Sequence, residues 1–306
     1  MSDARLDVLK TYKLHIDGQF PRSESGRSWP VTDAKGKVLA HVAKASRKDL
    51  RDAVEAARKA QPGWQNATAY LRGQIMYRMA EMMEGKRAEF AGAIDAVKAA
   101  KPAGETGKGK PKAARTKPLS GDAEVTAAID RLVHYAGWAD KYAQVLGCNN
   151  PVSGPYYNFT VTEPTGVVAV VAPDDAPLLG LVSLLAPAVC AGNTVIAVSS
   201  GANPVPAAVL GEVFATSDVP AGVVNILTGD RAELIPFIAG HRDIDAVHAA
   251  NLSGDQATTL RAGAAENIKR VTVRDGIEWM DNEQCQSPWW IESFVEMKTV
   301  WHPASV

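Results

Sequence analysis

The sequence has few of the residues that define several common classes of protein. Its 306 residues include three cysteines, Cys148, Cys190 and Cys285, which are far apart and lack the paired spacing of a disulfide framework or a zinc site. Its 33 basic residues are balanced by 34 acidic ones, so no overall charge attracts nucleic acid or an anionic membrane. We therefore expect no metal, no nucleic-acid partner and a reducing, cytoplasmic compartment.

Long hydrophobic runs and targeting signals are also missing. Residues 1–11 carry charged side chains throughout and have no continuous apolar core of the kind found in a signal peptide. The most apolar stretch, residues 178–191, is interrupted by Gly180, Ser183 and Pro187 and is shorter than the roughly 20 residues that cross a bilayer. It predicts a buried core helix, and we expect no membrane interaction.

The first part of the chain predicts a β-rich segment followed by helices. Extended residues at 14–20, a Ser-Glu-Ser-Gly turn and a second extended run from Trp29 predict a hairpin. Ser46 followed by Asp49 is typical of a capped helix N-terminus, and this helix is predicted to end at about Lys59. The next helix is predicted from apolar residues at helical spacing: Leu71, Ile75, Met79 and Met82.

Between residues 98 and 118 the composition changes abruptly to lysine, proline, alanine and glycine. Seven basic residues there are opposed by Glu105 alone. One interpretation is a basic patch for an acidic partner. We favour a flexible, solvated loop, because no aromatic side chain is interleaved to stack on a base. A further helix is predicted to begin near Ala123.

From about residue 166 to residue 274, short β-rich runs alternate with helical stretches. The predicted strands are residues 167–171, 194–198, 223–227, 246–248 and 269–273. Parallel strands need crossover helices that cover both faces of the sheet. Four β-α pairs followed by a strand therefore predict an α/β fold with a doubly wound, Rossmann-like parallel sheet.

Four motifs give the chain a family resemblance. They are Tyr12-Lys-Leu-His-Ile-Asp-Gly-Gln-Phe20, Glu163-Pro-Thr-Gly-Val-Val168, Leu185-Ala-Pro-Ala-Val-Cys-Ala-Gly-Asn-Thr194 and Val219-Pro-Ala-Gly-Val-Val-Asn-Ile226. In this order they resemble the N-terminal half of the aldehyde dehydrogenase superfamily, and Glu296-Met-Lys-Thr-Val-Trp301 resembles its terminal oligomerisation strand. The resemblance implies a nucleotide-binding domain over residues 1–287, with a projecting arm strand at 156–164, and an oligomerisation strand at 288–306.

In that family a catalytic domain carrying the nucleophilic cysteine lies between the sheet and the terminal strand. Here residues 276–287 separate the two, whereas a domain needs at least about 50 residues. The chain is therefore similar to the second, non-catalytic module of the large two-module members of the superfamily.

At positions that match the family's motifs, this chain lacks the residues that bind the oxyanion and the cofactor. Its Pro-Trp-Asn-Phe-Pro motif falls on Pro173-Asp-Asp-Ala-Pro177, so Asp175 replaces the amide that stabilises the oxyanion, and a carboxylate repels that charge. The ribose-binding Lys-Pro pair falls on Val198 and Ser199, the nearby Glu on Gly201, and the glycine of the pyrophosphate turn on Ala250. Two lost charge-assisted hydrogen bonds weaken cofactor binding by roughly 10²–10⁴-fold, so we expect no cofactor.

Cys285 is the remaining candidate nucleophile, since the covalent route to aldehyde oxidation needs a thiolate. The charges of Asp281 and Glu283 raise the pKa of a neighbouring thiol, so we expect no catalysis by Cys285.

The resulting hypothesis is a non-catalytic, aldehyde dehydrogenase-like subunit with an assembly or regulatory role. It would pair with itself or with a full-length aldehyde dehydrogenase through residues 156–164 and 291–301. Two alternatives stay open. One is an NAD(P)-dependent aldehyde dehydrogenase, active alone or with a site completed by a partner chain. The other is a nucleotide or metabolite sensor that uses the cleft near Pro173, Asp175 and Ser199.

Overall fold

The computed structural model describes residues 8–97 and 119–304. The strands are β1 (Thr11–Tyr12), β2 (Ser28–Thr32), β3 (Val38–Ala43), β4 (Cys148–Asn150), β5 (Tyr156–Pro164), β6 (Val167–Val171), β7 (Thr194–Val198), β8 (Val224–Leu227), β9 (Ala246–Ala250), β10 (Arg270–Arg274) and β11 (Val295–Pro303). The helices are α1 (Arg47–Asn66), α2 (Ala69–Gly85), α3 (Arg87–Val97), α4 (Gly121–Trp138), α5 (Tyr142–Leu146), α6 (Leu179–Cys190), α7 (Val205–Phe214), α8 (Arg231–Gly240), α9 (Gly254–Asn267), α10 (Asn282–Cys285) and α11 (Trp289–Glu292). The predicted basic loop at 98–118 lies outside the described residues.

A five-stranded parallel sheet, in the order β10-β9-β6-β7-β8, forms the centre of the fold. Every residue of β6 is buried, because helices cover both faces of the sheet. One apolar core joins the sheet to α2, α4, α6 and α7, and a second joins it to α1, α8 and α9. The predicted α/β, doubly wound architecture is confirmed, and its strands lie within two residues of the predicted bounds at each end.

Helix α6 is buried along its whole length, as predicted for the most apolar stretch of the chain. Its residues fill the core between the sheet and α4. Among the helices of residues 8–97 and 119–304, none is both long enough and apolar enough to span a bilayer.

The predicted cap of α1 is confirmed, but the predicted end of this helix is wrong. The Ser46 Oγ accepts the amide of Asp49 at 3.3 Å, and the Asp49 carboxylate accepts the amide of Ser46 at 2.7 Å. The helix continues through Pro62 to Asn66 instead of ending near Lys59. Its last turns are held by packing, because Trp64 is buried and donates its indole N–H to the Val189 carbonyl at 3.1 Å.

Two local predictions place elements differently from the structure. The hairpin forms between β2 and β3, whereas the turn at 23–26 packs on Asp49. The buried face of α2 is shifted, since Leu71 is 47% exposed while Arg72 is buried and donates to the Cys190 carbonyl.

The arm is a separate antiparallel sheet in the order β11-β5-β4. Strand β5 covers the predicted segment 156–164, and it pairs with β11 of the same chain from Pro164–Val295 to Tyr156–Pro303. The terminal strand begins at Val295 and not at residue 288, because α11 precedes it and its Trp290 and Ile291 are buried in the core. Within the described residues, no strand lies beside the outer edge of β11.

The contact between α8 and α9 offers a test of packing around the sheet. A Cβ on Gly263 would lie 2.5 Å from the Ala239 carbonyl oxygen, whereas one on Gly240 would meet nothing within 4 Å. We expect Gly263→Ala to lower the free energy of unfolding by about 1–3 kcal/mol through overpacking. Gly240→Ala should leave it unchanged or raise it by up to about 1 kcal/mol. Urea denaturation measures both variants, and equal stabilities would contradict the close helix contact.

Candidate functional site

The sequence-predicted site residues meet at one edge of the central sheet. In a doubly wound sheet the ligand crevice lies at the carboxyl ends of the strands, where the strand order reverses. Pro173 and Asp175 follow β6, Val198 ends β7 with Ser199 and Gly201 behind it, and Ala250 ends β9. Because β6 lies between β7 and β9, the fold brings all of these positions to the same edge.

Asp175, which the resemblance places at the position of an oxyanion-stabilising amide, is bound by side chains of the same chain. The side-chain nitrogen of Asn251 donates to both carboxylate oxygens of Asp175, at 3.0 and 2.9 Å. The Trp279 indole N–H donates to one of these oxygens at 3.2 Å. Asn251 has a left-handed backbone with φ of 50°, and its side-chain oxygen accepts the amide of Gly276 at 3.2 Å. Asp175 therefore joins β6 to the turn after β9 and to the segment beyond β10.

The adjacent Asp174, which the sequence did not single out, binds the turn after β7. One carboxylate oxygen accepts the Ser200 hydroxyl at 2.7 Å and the amides of Gly201 and Ala202 at 2.8 and 3.1 Å. The other oxygen forms an ion pair with Arg231, the first residue of α8. A second guanidinium nitrogen of Arg231, a residue only 6% exposed, donates to the Ala172 carbonyl at 3.0 Å.

These contacts decide how well the cleft fits a dinucleotide. Val198 is a buried apolar side chain in the second core, and Gly201 has no side chain, so neither supplies the ribose ligand that the resemblance implies. The amides of Gly201 and Ala202 already donate to Asp174. The Ser199 hydroxyl is buried and has no hydrogen-bond partner within the described chain. The residues at these positions do not fit NAD(P) in the way the family pattern implies.

Cys285 lies at the end of α10 and is fully buried. Burial raises the pKa of its thiol, and the nearby Asp281 raises it further, against a lowering by Arg131. The prediction of a raised pKa is confirmed, although its main cause is loss of solvent and not the neighbouring carboxylates. The thiol donates to the Glu278 carbonyl at 3.5 Å, and the Cys285 carbonyl accepts from Tyr135 at 3.0 Å.

Arg131, on α4, holds the segment that contains Cys285. It is fully buried, and it donates to the carbonyls of Trp279 and Cys285 at 3.1 and 3.2 Å. It also donates to the Ser183 hydroxyl at 2.7 Å and to the Asn282 side chain at 3.3 Å. Sequence analysis did not identify this residue, because a charged side chain in a helical pattern is expected on the exposed face.

His248, in β9, fixes the far end of the same segment. Its Nε2 accepts the Arg274 Nε–H at 2.7 Å, its Nδ1 lies 2.8 Å from the Leu184 carbonyl, and its ring packs on Phe294. Burial and the Arg274 charge lower the pKa of His248 well below 6.5, so the ring is neutral. The unfolded chain binds this proton more tightly, so the ring's contribution to stability is complete above about pH 6.5 and falls at lower pH.

A metal site and a ligand-binding cavity are two further kinds of functional site. The described residues contain no group of three or more His, Cys, Asp or Glu side chains that could hold a metal ion. A cavity of about 750 Å³ lies between α1 and α8, where the Arg47 guanidinium stacks 5.2 Å from the Phe237 ring. None of the residues at the carboxyl edge of the sheet lines this cavity.

The burial of the cysteines predicts their chemical reactivity. Cys148 is exposed, whereas Cys190 and Cys285 are buried, and burial raises the pKa of Cys190 to about 12. At neutral pH we expect Cys148 to react with a thiol reagent at least about 100-fold faster than Cys285, because the thiolate is the reactive form. Mass spectrometry of timed alkylation, with a fully unfolded sample as control, measures the rates. Rapid labelling of Cys285 in the folded protein would contradict its structural role.

Comparison with known proteins agrees with this architecture. Residues 21–276 match the Aldehyde dehydrogenase family. The chain is 32% identical over 269 residues to Putative aldehyde dehydrogenase DhaS of Bacillus subtilis (strain 168), covering 87% of this chain and 50% of that protein. It is 32% identical over 272 residues to Retinal dehydrogenase 2 of Mus musculus, covering 88% and 49%.

The solved structures point the same way. The NAD+ complex of the aldehyde dehydrogenase from Bacillus cereus superposes with a TM-score of 0.75 at 28% identity, covering 86% of this chain and 50% of that one. The chain thus spans about half the length of the relatives it matches. Sequence, fold and strand order together place this chain in the aldehyde dehydrogenase family.

Proposed function

We propose that this protein is a non-catalytic aldehyde dehydrogenase-like subunit with an assembly or regulatory role. The observation that carries the proposal is the course of residues 275–294 between β10 and β11. This is where the resemblance places a catalytic domain. Here the segment forms α10 and α11 and lies against the sheet, with Trp279 bound to Asp175 and Trp290 buried in the core.

The chemistry of aldehyde oxidation supports the same conclusion. A thiolate must attack the carbonyl, and preorganised donors must stabilise the oxyanion that forms. The thiol of Cys285 is buried and its pKa is raised, which favours the protonated, unreactive form. Asp175 adds negative charge where the oxyanion would develop, and its nearest donors already bind its own carboxylate.

We infer that NAD(P) is not a resident cofactor. The similar enzyme from Bacillus cereus binds NAD+, as the solved complex of that protein records. In this chain the turn after β7 donates to Asp174, and Val198 brings no ligand to the ribose position. A sensor of another nucleotide or metabolite is the alternative that a ligand screen would reveal.

The purified protein should not convert aldehydes. With NAD+ or NADP+ and a panel of aliphatic and aromatic aldehydes, we expect no formation of reduced cofactor above a no-enzyme blank. Cys285→Ser is the matched control, since it removes the candidate nucleophile that the sequence analysis singles out. Turnover by the wild type that this variant abolishes would contradict the proposal.

A thermal-shift assay tests cofactor binding independently of enzymatic activity. A ligand at 100 times its Kd raises stability by about 2.7 kcal/mol, whereas one far below its Kd adds almost nothing. We expect no shift of the melting midpoint with millimolar NAD+, and none for Val198→Lys either, because Asp174 still holds the neighbouring amides. A clear shift for the wild type would favour the enzyme or sensor alternative, and other nucleotides in the same screen would separate these two.

We propose the arm sheet as the assembly surface, with a second copy or a full-length aldehyde dehydrogenase as partner. Large side chains are exposed there: Tyr156 at 47%, Tyr157 at 53%, Met297 at 47% and Trp301 at 59%. Edge strands with apolar side chains pair readily with other chains. The free thiols, with Cys148 exposed, are consistent with a reducing compartment, and we propose the cytoplasm.

Assembly is tested by charged substitutions on β11. Met297→Lys combined with Trp301→Lys should reduce an oligomer to a folded monomer, because lysine on an edge strand opposes strand pairing. Tyr77→Lys, at an equally exposed aromatic position on α2, is the matched control and should keep the wild-type mass. Light scattering gives the masses and circular dichroism the fold. An unchanged oligomer of the double variant would contradict the proposed surface.

A further inference from the structure

The turn after β7 gathers hydrogen-bond donors from three consecutive residues. Ser200 supplies its hydroxyl, and Gly201 and Ala202 supply their amides, all to one oxygen of Asp174 at 2.7 to 3.1 Å. The Arg231 guanidinium binds the second oxygen. One carboxylate thus binds four donor groups, a hydroxyl, two successive amides and a buried guanidinium, and both of its oxygens are engaged.

This donor set is typical of sites for small oxyanions. Successive backbone amides in a turn form a concave anion-binding surface, and a guanidinium adds charge-assisted hydrogen bonds that match phosphate or carboxylate geometry. Arg231 is 94% removed from solvent, as its exposed fraction is 6%, and a cation so buried requires a nearby anion or several acceptors. The site is built for a negative group, and the chain supplies one itself.

The position of Asp174 explains why an external anion does not compete. Asp174 lies in the turn between Pro173 and Pro177, whose rings restrict the backbone, and the Pro173 ring packs closely on Gly180 of α6. The carboxylate is therefore held at the turn at a high effective concentration. A free anion at millimolar concentration cannot displace a tethered group that makes these contacts.

We propose that Ser200, Gly201, Ala202 and Arg231 form an oxyanion-binding site that Asp174 occupies as an internal ligand, and that the site takes a phosphate group when this carboxylate is removed. The inference goes beyond the proposed function, since it concerns binding at the turn after β7 and holds whether or not the protein oxidises aldehydes.

The test compares Asp174→Ala with the wild type in inorganic phosphate and in sodium chloride of equal ionic strength. We expect Asp174→Ala to melt lower than the wild type in chloride. Phosphate at about 10 mM should then raise its melting midpoint by about 2–3 °C over chloride, with no such rise for the wild type. In amide NMR spectra, the signals of Gly201 and Ala202 should shift with phosphate in the variant alone.

Asp49→Ala is the matched control. Asp49 is also a buried carboxylate with three donors, the Ser23 hydroxyl and the amides of Glu24 and Ser46. No guanidinium within residues 8–97 and 119–304 hydrogen-bonds to it. Its removal should lower the melting midpoint without any phosphate-specific recovery. Asp174→Asn keeps the size of the side chain and carries the test if Asp174→Ala does not fold, with an expected phosphate shift smaller than that of the alanine variant but above the wild type.

The inference is overturned if a folded Asp174 variant shows neither a phosphate-specific rise in the midpoint nor a shift of the Gly201 and Ala202 amides. An equal rise for Asp49→Ala would overturn it as well, because phosphate would then be acting on the fold in general. Aldehyde oxidation by the wild type would contradict the proposed function and leave these results unaffected, so the two failures are distinguishable.

Discussion

The buried guanidinium of Arg131 determines the path of the chain after the central sheet. A buried cation costs several kcal/mol unless hydrogen bonds compensate it. Here carbonyls of the connecting segment accept from the two terminal guanidinium nitrogens, whereas the Nε–H has no partner among the described residues. The segment therefore lies against α4 and α6 and reaches Phe294, whose carbonyl accepts from Asn193 at 2.9 Å and from the amide of Thr165 at 3.1 Å. Strand β11 leaves the core at that point, beside β5, and the arm sheet follows from this geometry.

The same path closes the carboxyl edge of the sheet. Two consecutive aspartates bind in different directions there: Asp174 to the turn after β7 and to α8, Asp175 to the turn after β9 and to Trp279. Catalysis requires interactions that are stronger in the transition state than in the ground state. A group that is already hydrogen-bonded within the fold must break those bonds before it can bind a transition state. The edge that binds ligands in related folds is here cross-linked by the protein's own side chains.

The sequence predicts the sheet well because its signals are local. Buried parallel strands are continuous apolar runs, and Ser46 with Asp49 forms its cap within one turn of helix. The charged contacts were not predictable in this way, since Arg131 meets Cys285 and Asp174 meets Arg231 across long separations in sequence. The hydrophobic pattern assigns a polar residue of a helix to the exposed face. For the same reason the pattern does not predict the burial of Arg72.

The arm sheet, β11-β5-β4, is stabilised in part by side-chain contacts between its own strands. Its strands are linked by the ion pair of Lys298 with Glu163 and by the paired hydroxyls of Thr160 and Thr299. The Asn150 side chain also donates to the Asn158 side-chain oxygen at 2.6 Å. A small sheet is stable when one face is apolar or packs on other elements, and here the buried Val295 joins the arm sheet to the core. Met297 and Trp301 remain largely exposed, so they contribute little to the fold of a single chain. Their burial would stabilise an assembly instead, because apolar surface removed from water contributes roughly 25 cal/mol per Å².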